Sequence, residues 1–453
     1  MVTRRAVSEV AVFAHVADRL EGRHHFVPAG ILSRHREMAL SFAYGTRYVN
    51  RAEAIEVDPV ALPLERARQA PGSPWSPLPN LEEFGGIRDA APDSWGRRVI
   101  EAKLNVPPNS LDEFTYLLEA GSDRVGALDV RQTLTAPASN VAGSFFDLEY
   151  LLQAAAAVEE GEPIPRKLVP YLAGAPSAGG ARPKASVRDE SGVLWLAKFP
   201  SKNDRMDMAV LEAGALELAR AAGLTVPPVK VMQVAKQPVL LIRRFDRYWA
   251  RAGEPLAAMA RGYDTDPRDG WTEGRIAQVS ALTLMGCSEM ESITKGYRDL
   301  AQTIRERVHP RCVVRDTEEL FARLVLNIFL TNDDDHLRNH AFSYDTEIKG
   351  WRLSPLYDVV PRPSVSQDRR LHLNVGAEGK LATLDNAMSE YRAFVSDRPA
   401  AISIVRKVWS AVRAWKGVYE GVGATPTLIA ALEQAIRPLA DIASAGLEAE
   451  IRR

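Results

Sequence analysis

The chain has 453 residues, is 46% hydrophobic and 25% charged, and sets 57 Lys and Arg against 58 Asp and Glu. That length implies two or three packed units, and the charge balance gives no global argument for nucleic acid or an anionic membrane as partner. The two cysteines, Cys287 and Cys312, make no disulfide framework and have no metal-ligand spacing, which fits a reducing compartment. The apolar stretch Val10–Ala17 is interrupted by His15 and is too short for a signal h-region. No segment approaches ~18 uninterrupted apolar residues, so a cytoplasmic protein with no membrane contact is expected.

Residues 1–140 mix short strand-like runs, Ala39–Tyr44 and Ala54–Val57, with Pro-rich turns around Pro71–Pro79. Asp93 sits where an N-cap belongs, ahead of the helix-like run Ser94–Leu104. The charged residues Arg88, Asp89, Asp93, Arg97 and Arg98 read as structural ion pairs.

Residues 141–245 open with an Ala-rich helix, Phe145–Glu159, and a loop, Gly174–Pro183, with three glycines, two prolines and one serine. Strands at Ala185–Arg188 and Val193–Phe199 flank the turn Asp189–Gly192. An amphipathic helix follows, with Met208, Leu211, Ala215, Leu218, Ala219 and Ala222 on one stripe and Gly223 at C′. Strands Val229–Val234 and Pro238–Arg243 close this part. A Gly-rich loop, a strand with a lysine, a helix with a glutamate and a hairpin are what a nucleotide-binding lobe of the kinase kind requires.

Residues 246–453 are expected to be mostly helical. Asp316 and Glu319 can form a capping box for a helix with Phe321, Leu324, Val325, Ile328 and Phe329 on its apolar stripe. It runs into Thr331-Asn332-Asp333-Asp334-Asp335-His336-Leu337-Arg338-Asn339-His340. A hairpin, Ala341–Tyr344 and Trp351–Ser354, leads to Pro355-Leu356-Tyr357-Asp358, and two or three helices follow Glu390.

Phosphoryl transfer needs a metal held on the phosphates, a cation on those that stay behind and a carboxylate to align the hydroxyl. Asp334 and Asn339 have the separation of the catalytic Asp and metal-binding Asn in the protein-kinase loop H-R-D-x-x-x-x-N. Asp358 is placed as second metal ligand, and carboxylate and amide oxygens suit Mg²⁺. Read alone, three consecutive aspartates are as well a solvated turn. His336 reads as a hydrogen-bonder holding the loop, and Arg338 as a phosphate contact or an exposed arginine. Lys198, within the apolar run Leu194–Pro200, is costly to bury without an anionic partner. A phosphate of ATP, with Glu212 orienting the lysine, would provide one; a snorkelling strand-end lysine and a solvated helical glutamate are the bland alternatives. The loop Ser177–Lys184 is not a Walker A sequence, but Gly179 and Gly180 would let backbone N–H groups approach a phosphate.

These residues together resemble the HipA-type kinases, toxin components of bacterial toxin–antitoxin pairs. The resemblance rests on Ser177-x-x-Gly180-Ala181-x-x-Lys184, Leu196-Ala197-Lys198-Phe199-Pro200 and Arg244-Phe245-Asp246-Arg247. Asn332-x-Asp334-x-His336-x-Arg338-Asn339 and Pro355-Leu356-Tyr357-Asp358-Val359 are its strongest parts. Phe84–Asp89, Pro92–Gly96 and Val125–Leu128 look like the family's N-terminal unit. The likeness implies an α+β, two-lobed protein-kinase-like fold with an extra N-terminal α/β subdomain and a mainly helical C-terminal lobe. It makes Asp334 the catalytic base, with His336 and Arg338 in the same loop, and Asn339 and Asp358 the Mg²⁺ ligands. Gly179, Gly180, Ala181, Lys184, Lys198 and Tyr357 would surround ATP, with Leu241–Phe245 a hinge whose Arg243, Arg244 and Phe245 border the adenine through their backbone. Ser177 falls at the family's autophosphorylated serine. The implied partners are a protein substrate, for which the family includes aminoacyl-tRNA synthetases, and a small helix-turn-helix antitoxin through which DNA would be reached. Thr331 stands where the family often has Gly, and Arg243 where it often has an acidic residue. A catalytically weak ATP-binding scaffold acting with an antitoxin, or a small-molecule or lipid kinase on the same fold, would share most of these residues.

Overall fold

The computed structural model describes residues 8–35, 39–139, 143–162, 165, 168 and 180–453. They fall into two compact units, one comprising Met1–Lys202, Ile242–Val279 and Ser343–Ile348, the other Asn203–Leu241, Ser280–Phe342 and Lys349–Arg453.

The first unit is built on a five-stranded antiparallel sheet. Its strands are β1 (Glu9–Asp18), β2 (Arg23–Arg34), β3 (Leu40–Tyr44), β4 (Pro74–Trp75) and β5 (Leu128–Arg131), in the order β4-β3-β2-β1-β5. The stretch Val10–Ala17 that fails as a signal segment is the body of β1; a short apolar run bounded by polar ends is what a strand covered on both faces looks like. β1 pairs with β2 from Glu9↔Ser33 to Asp18↔Arg23, with a register shift between Val12 and Phe13. The shift falls opposite Pro28, which has no N–H to give the ladder. The run Ala54–Val57 forms no strand; Tyr48 and Tyr44 hydroxyls take up its backbone groups at Ile55 and Val57 instead.

Asp93 caps the helix Ser94–Leu104 as the sequence requires, accepting from the Gly96 amide at 2.7 Å. Arg97 pairs with Glu113 at 2.7 Å, one of the expected structural ion pairs. Further along are β6 (Gly143–Ser144), β7 (Lys184–Arg188) and β8 (Leu194–Lys198), with the helix Leu148–Glu160 between β6 and β7. β7 and β8 form a hairpin in which Lys184 lies opposite Lys198. Asp189 closes its turn, one carboxylate oxygen accepting from the Ser191 and Val193 amides at 3.0 Å each.

The second unit is mainly helical. Its helix Met208–Ala221 ends with Gly223 in the left-handed region at φ 81°, the expected stop. A side chain at Gly214 would meet the Tyr419 ring at 2.2 Å, so glycine there admits the ring, whose hydroxyl donates to the Leu211 carbonyl at 3.0 Å. The central helix Pro310–Leu330 begins two turns earlier than the capping-box reading placed it. His309 is its N-cap and Pro310 its first residue, a position where a missing N–H costs nothing. Asp316 therefore lies inside the helix, 1% exposed, and accepts from the Leu353 amide at 2.6 Å. Leu320, Phe321, Leu324, Val325, Ile328 and Phe329 are all fully buried, which makes this helix the spine of the unit. Among the described residues, no helix is long and apolar enough to cross a membrane.

Candidate active site

The central helix ends on Thr331, left-handed at φ 53°, ψ 45°. A β-branched residue in that region is strained, so the preference for glycine here has a backbone cause. Thr331 is held there by its surroundings. Its hydroxyl donates to the Ala435 carbonyl at 2.7 Å and accepts from Arg369, and its carbonyl accepts from the Arg362 amide at 3.3 Å.

Beyond this cap the three aspartates separate. Asp335 is 3% exposed and receives hydrogen bonds from the Tyr297 hydroxyl and from His340 Nε2 at 3.1 Å. Burial alone would raise its carboxyl, but the His340 and Tyr297 contacts hold it below the usual range. Asn327 donates to the Tyr297 oxygen at 2.9 Å, and Asn332 to the Asn327 oxygen at 3.0 Å, so a buried polar chain fixes the loop. The sequence reading gave Asp335, Asn327 and Tyr297 no role; only the fold brings Tyr297 to the loop. Asp333 and Asp334, by contrast, keep 41% and 58% of their side chains exposed, and Arg362 contacts both. Burial, aided by the Asp334 charge and opposed by Arg362, pushes the Asp333 carboxyl up.

The separation of Asp334 and Asn339 closes into a single turn. The Asp334 carbonyl accepts from the His336 amide at 2.9 Å and from Asn339 Nδ2 at 3.0 Å, and the His336 carbonyl accepts from the Asn339 amide at 2.9 Å. The Tyr357 hydroxyl donates to the Arg338 carbonyl at 2.6 Å, which ties the segment bearing Asp358 to the same loop. Asp358 is half-buried with φ at 60°. Aspartate tolerates that region better than most residues, and strain of this kind gathers at working sites. Arg338 pairs with Glu289, and the His336 ring meets His372 edge-on at 5.9 Å.

These positions fit a hard cation. The Asn339 nitrogen is committed to the Asp334 carbonyl, so its amide oxygen is the atom left to face a metal, and Asp358 adds a carboxylate. Glu212 is 4% exposed in the helix Met208–Ala221, which removes the solvated-glutamate alternative.

In the first unit, Lys198 is half-buried at the end of β8. Like charges opposite one another in a ladder repel, and the fold meets this by turning Lys184 inward: its ammonium lies 2.6 Å from Asp93 and 3.1 Å from the Gly180 carbonyl. Gly180 takes φ 97°, and Arg98 donates to the Ala181 carbonyl at 2.5 Å. Ser177 and Gly179 lie outside the described residues.

The Arg244–Arg247 motif is a clamp. Asp246 is 2% exposed and sits between Arg244 at 2.6 Å and Arg247 at 2.8 Å, and it also accepts from the Gly126 amide at 2.7 Å. Burial opposes its ionisation, but the two arginines hold the carboxyl far below the usual range. Arg247 is pushed down to about 9 by burial first and then by Arg275. Both arginines donate to the Arg124 carbonyl, at 3.1 and 2.8 Å. Two motifs 120 residues apart, Val125–Leu128 and Arg244–Arg247, are thus one structure. Arg243 pairs with Asp266 at 2.8 Å, and Phe245 is half-buried between the arginines.

Comparison with known proteins identifies the family. Residues 176–415, more than half of the chain, match the HipA-like C-terminal domain, and residues 24–131 match the HipA N-terminal domain. A Sinorhizobium fredii protein named "Putative kinase Y4mE" is 25% identical over 405 residues, covering 83% of this chain and 85% of that protein. The HipA-bearing complex of Shewanella oneidensis MR-1 with HipB and operator DNA contains a chain that superposes with a TM-score of 0.63 at 15% identity, covering 94% of this chain and 95% of that one. The α+β, kinase-like class expected from the sequence is therefore the fold found, and the chain belongs to the HipA family.

Proposed function

We propose that this protein is a HipA-type kinase that moves the γ-phosphoryl group of ATP, with Mg²⁺, to a serine or threonine hydroxyl of a protein. The observation that carries this reading is the closure of Asp334, Asn339 and the Tyr357–Asp358 segment onto one loop, through the 3.0 Å Asn339–Asp334 and 2.6 Å Tyr357–Arg338 hydrogen bonds. When bound, Mg²⁺–ATP supplies the transferable phosphoryl group and neutralises the charge that builds on it. Asn339 and Asp358 offer the oxygens that would hold the metal. Asp334, the most exposed member of the aspartate run, aligns the acceptor hydroxyl and takes its proton. Lys198, the half-buried lysine at the end of β8, is the cation proposed for the phosphates. Tyr357 keeps Asp358 against the loop. The kinase in the name of the Sinorhizobium relative supports the same reading.

Ser177 is proposed as a self-acceptor, in a loop whose basic neighbour Arg182 would meet the new phosphate. The Shewanella chain is part of a complex with HipB and operator DNA. By extension, a small helix-turn-helix antitoxin is proposed as partner here, with DNA reached through it. The test is transfer of label from γ-labelled ATP to protein, in Mg²⁺ and in EDTA, followed by peptide mass spectrometry. Label on serine or threonine in Mg²⁺ alone is expected. Mg²⁺-dependent nucleotide binding with no transfer would leave the scaffold reading in its place.

A further inference from the structure

Arg362 stands four residues after Asp358, between Pro361 and Pro363. Each proline fixes its own φ, and Pro363 keeps Arg362 out of helical backbone, so the segment has little freedom to lose. The Arg362 amide is tied to the Thr331 carbonyl at the end of the central helix, at 3.3 Å. From that footing the guanidinium reaches two carboxylates. Its Nε lies 3.0 Å from Asp333 Oδ1, and one terminal nitrogen lies 2.9 Å from Asp334 Oδ2. All three side chains are roughly half exposed, at 52%, 41% and 58%. Ion pairs so open to water contribute little to stability and cost side-chain freedom. The side-chain anchoring of the helix end comes from another residue, Arg369, which donates to the Thr331 hydroxyl and to the Ala435 carbonyl at 3.1 Å. Stability therefore gives no good reason for a fork held on a proline-stiffened backbone.

We infer that Arg362 is a positioning residue that acts through Asp334, holding Oδ2 so that Oδ1 is presented to the acceptor hydroxyl. The inference rests on the kinase reading above. Asp333 is the second anchor and keeps the guanidinium from following the Asp334 side chain as it turns. A planar guanidinium can grip two carboxylates in fixed directions, whereas a lysine ammonium is a point charge without that geometry.

The experiment measures steady-state transfer and calorimetric Mg²⁺–ATP affinity for the wild type, Arg362→Ala, Arg362→Lys, Asp334→Asn and the Asp334→Asn/Arg362→Ala double variant. Loss of alignment should lower kcat of Arg362→Ala about 10- to 100-fold, with KM for ATP, affinity and melting temperature unchanged. Arg362→Lys should recover only part of the rate. In the Asp334→Asn background, Arg362→Ala should change nothing further, because both substitutions remove one function. A wild-type or raised kcat in Arg362→Ala, or a full further fall in the double variant, would overturn the inference. A wild type that transfers no label would overturn the kinase reading and this inference with it, a result distinct from an active wild type indifferent to Arg362.

Discussion

Two arginine–carboxylate constellations use the same chemistry under opposite solvation. In the first unit, Asp246 is closed in by Arg244 and Arg247, each of the three residues at most 6% exposed. In the second, Asp333 and Asp334 meet Arg362 with about half of each side chain in water. A buried pair cannot be opened without stranding a charge in low dielectric, so it serves as a rivet. An exposed pair opens at little cost, so its members can trade partners with a substrate. The contrast recurs inside a single run of residues. Asp335 is buried on Tyr297 and His340, while its neighbour Asp334 faces solvent. Solvation, rather than residue type, separates the aspartate that holds the loop from the one proposed to work in it.

The largest effect expected from breaking this contrast is kinetic. Asp334→Asn should lose about 10²- to 10⁴-fold in phosphoryl transfer while binding Mg²⁺–ATP within several-fold of wild type and melting with it. Turnover close to wild type would remove Asp334 from the mechanism. The next effect is on stability. Asp246→Ala leaves two arginines buried without their counter-ion, which should cost about 3–5 kcal/mol in denaturant unfolding. Arg362→Ala, which opens the exposed pair, should shift unfolding by under about 1 kcal/mol. Equal losses in the two variants would erase the distinction between rivet and working pair.

A smaller effect concerns pH. His15 in β1 is held neutral, its pKa well below the ordinary value, first by burial and then by Arg275, Arg247, His24 and His25. The unfolded chain takes up a proton as pH falls through ~6.5 and the folded chain does not. The stability this provides is therefore complete above that pH and is lost as pH falls towards the folded value, by up to about 1.4 kcal/mol per pH unit. His15→Gln should flatten the difference between unfolding at pH 7.5 and at pH 5.5. An unchanged difference would place the pH dependence elsewhere.

How much of this was legible depended on the range of each interaction. The Asp93 cap, the glycine stop at Gly223 and the Asp189 turn are local, and each lies where the sequence put it. The spacing of Asp334 and Asn339 was legible because one turn closes it. Asp93, 91 residues from Lys184, holds its ammonium, and a partner that far along the chain leaves no local mark in the sequence. Asp316 was misplaced because Asp-x-x-Glu matches a cap wherever it falls, and Pro310 was the stronger start signal. Arg362 had no motif to mark it; a proline on each side was the only hint, and its partners are set by the fold. Thr331 in place of glycine looked like a departure of family pattern, and only the backbone angle explains what the position demands.

The most direct test of the proposed metal site is a calorimetric titration of ATP into wild type and Asp358→Ala, each in Mg²⁺ and in EDTA. Asp358 is left-handed and is tied to the loop of Asn339 through Tyr357, and the proposal gives it the cation rather than the nucleotide. Asp358→Ala should therefore lose ATP affinity in Mg²⁺ and match wild type in EDTA. An equal loss in both conditions would contradict metal ligation by Asp358.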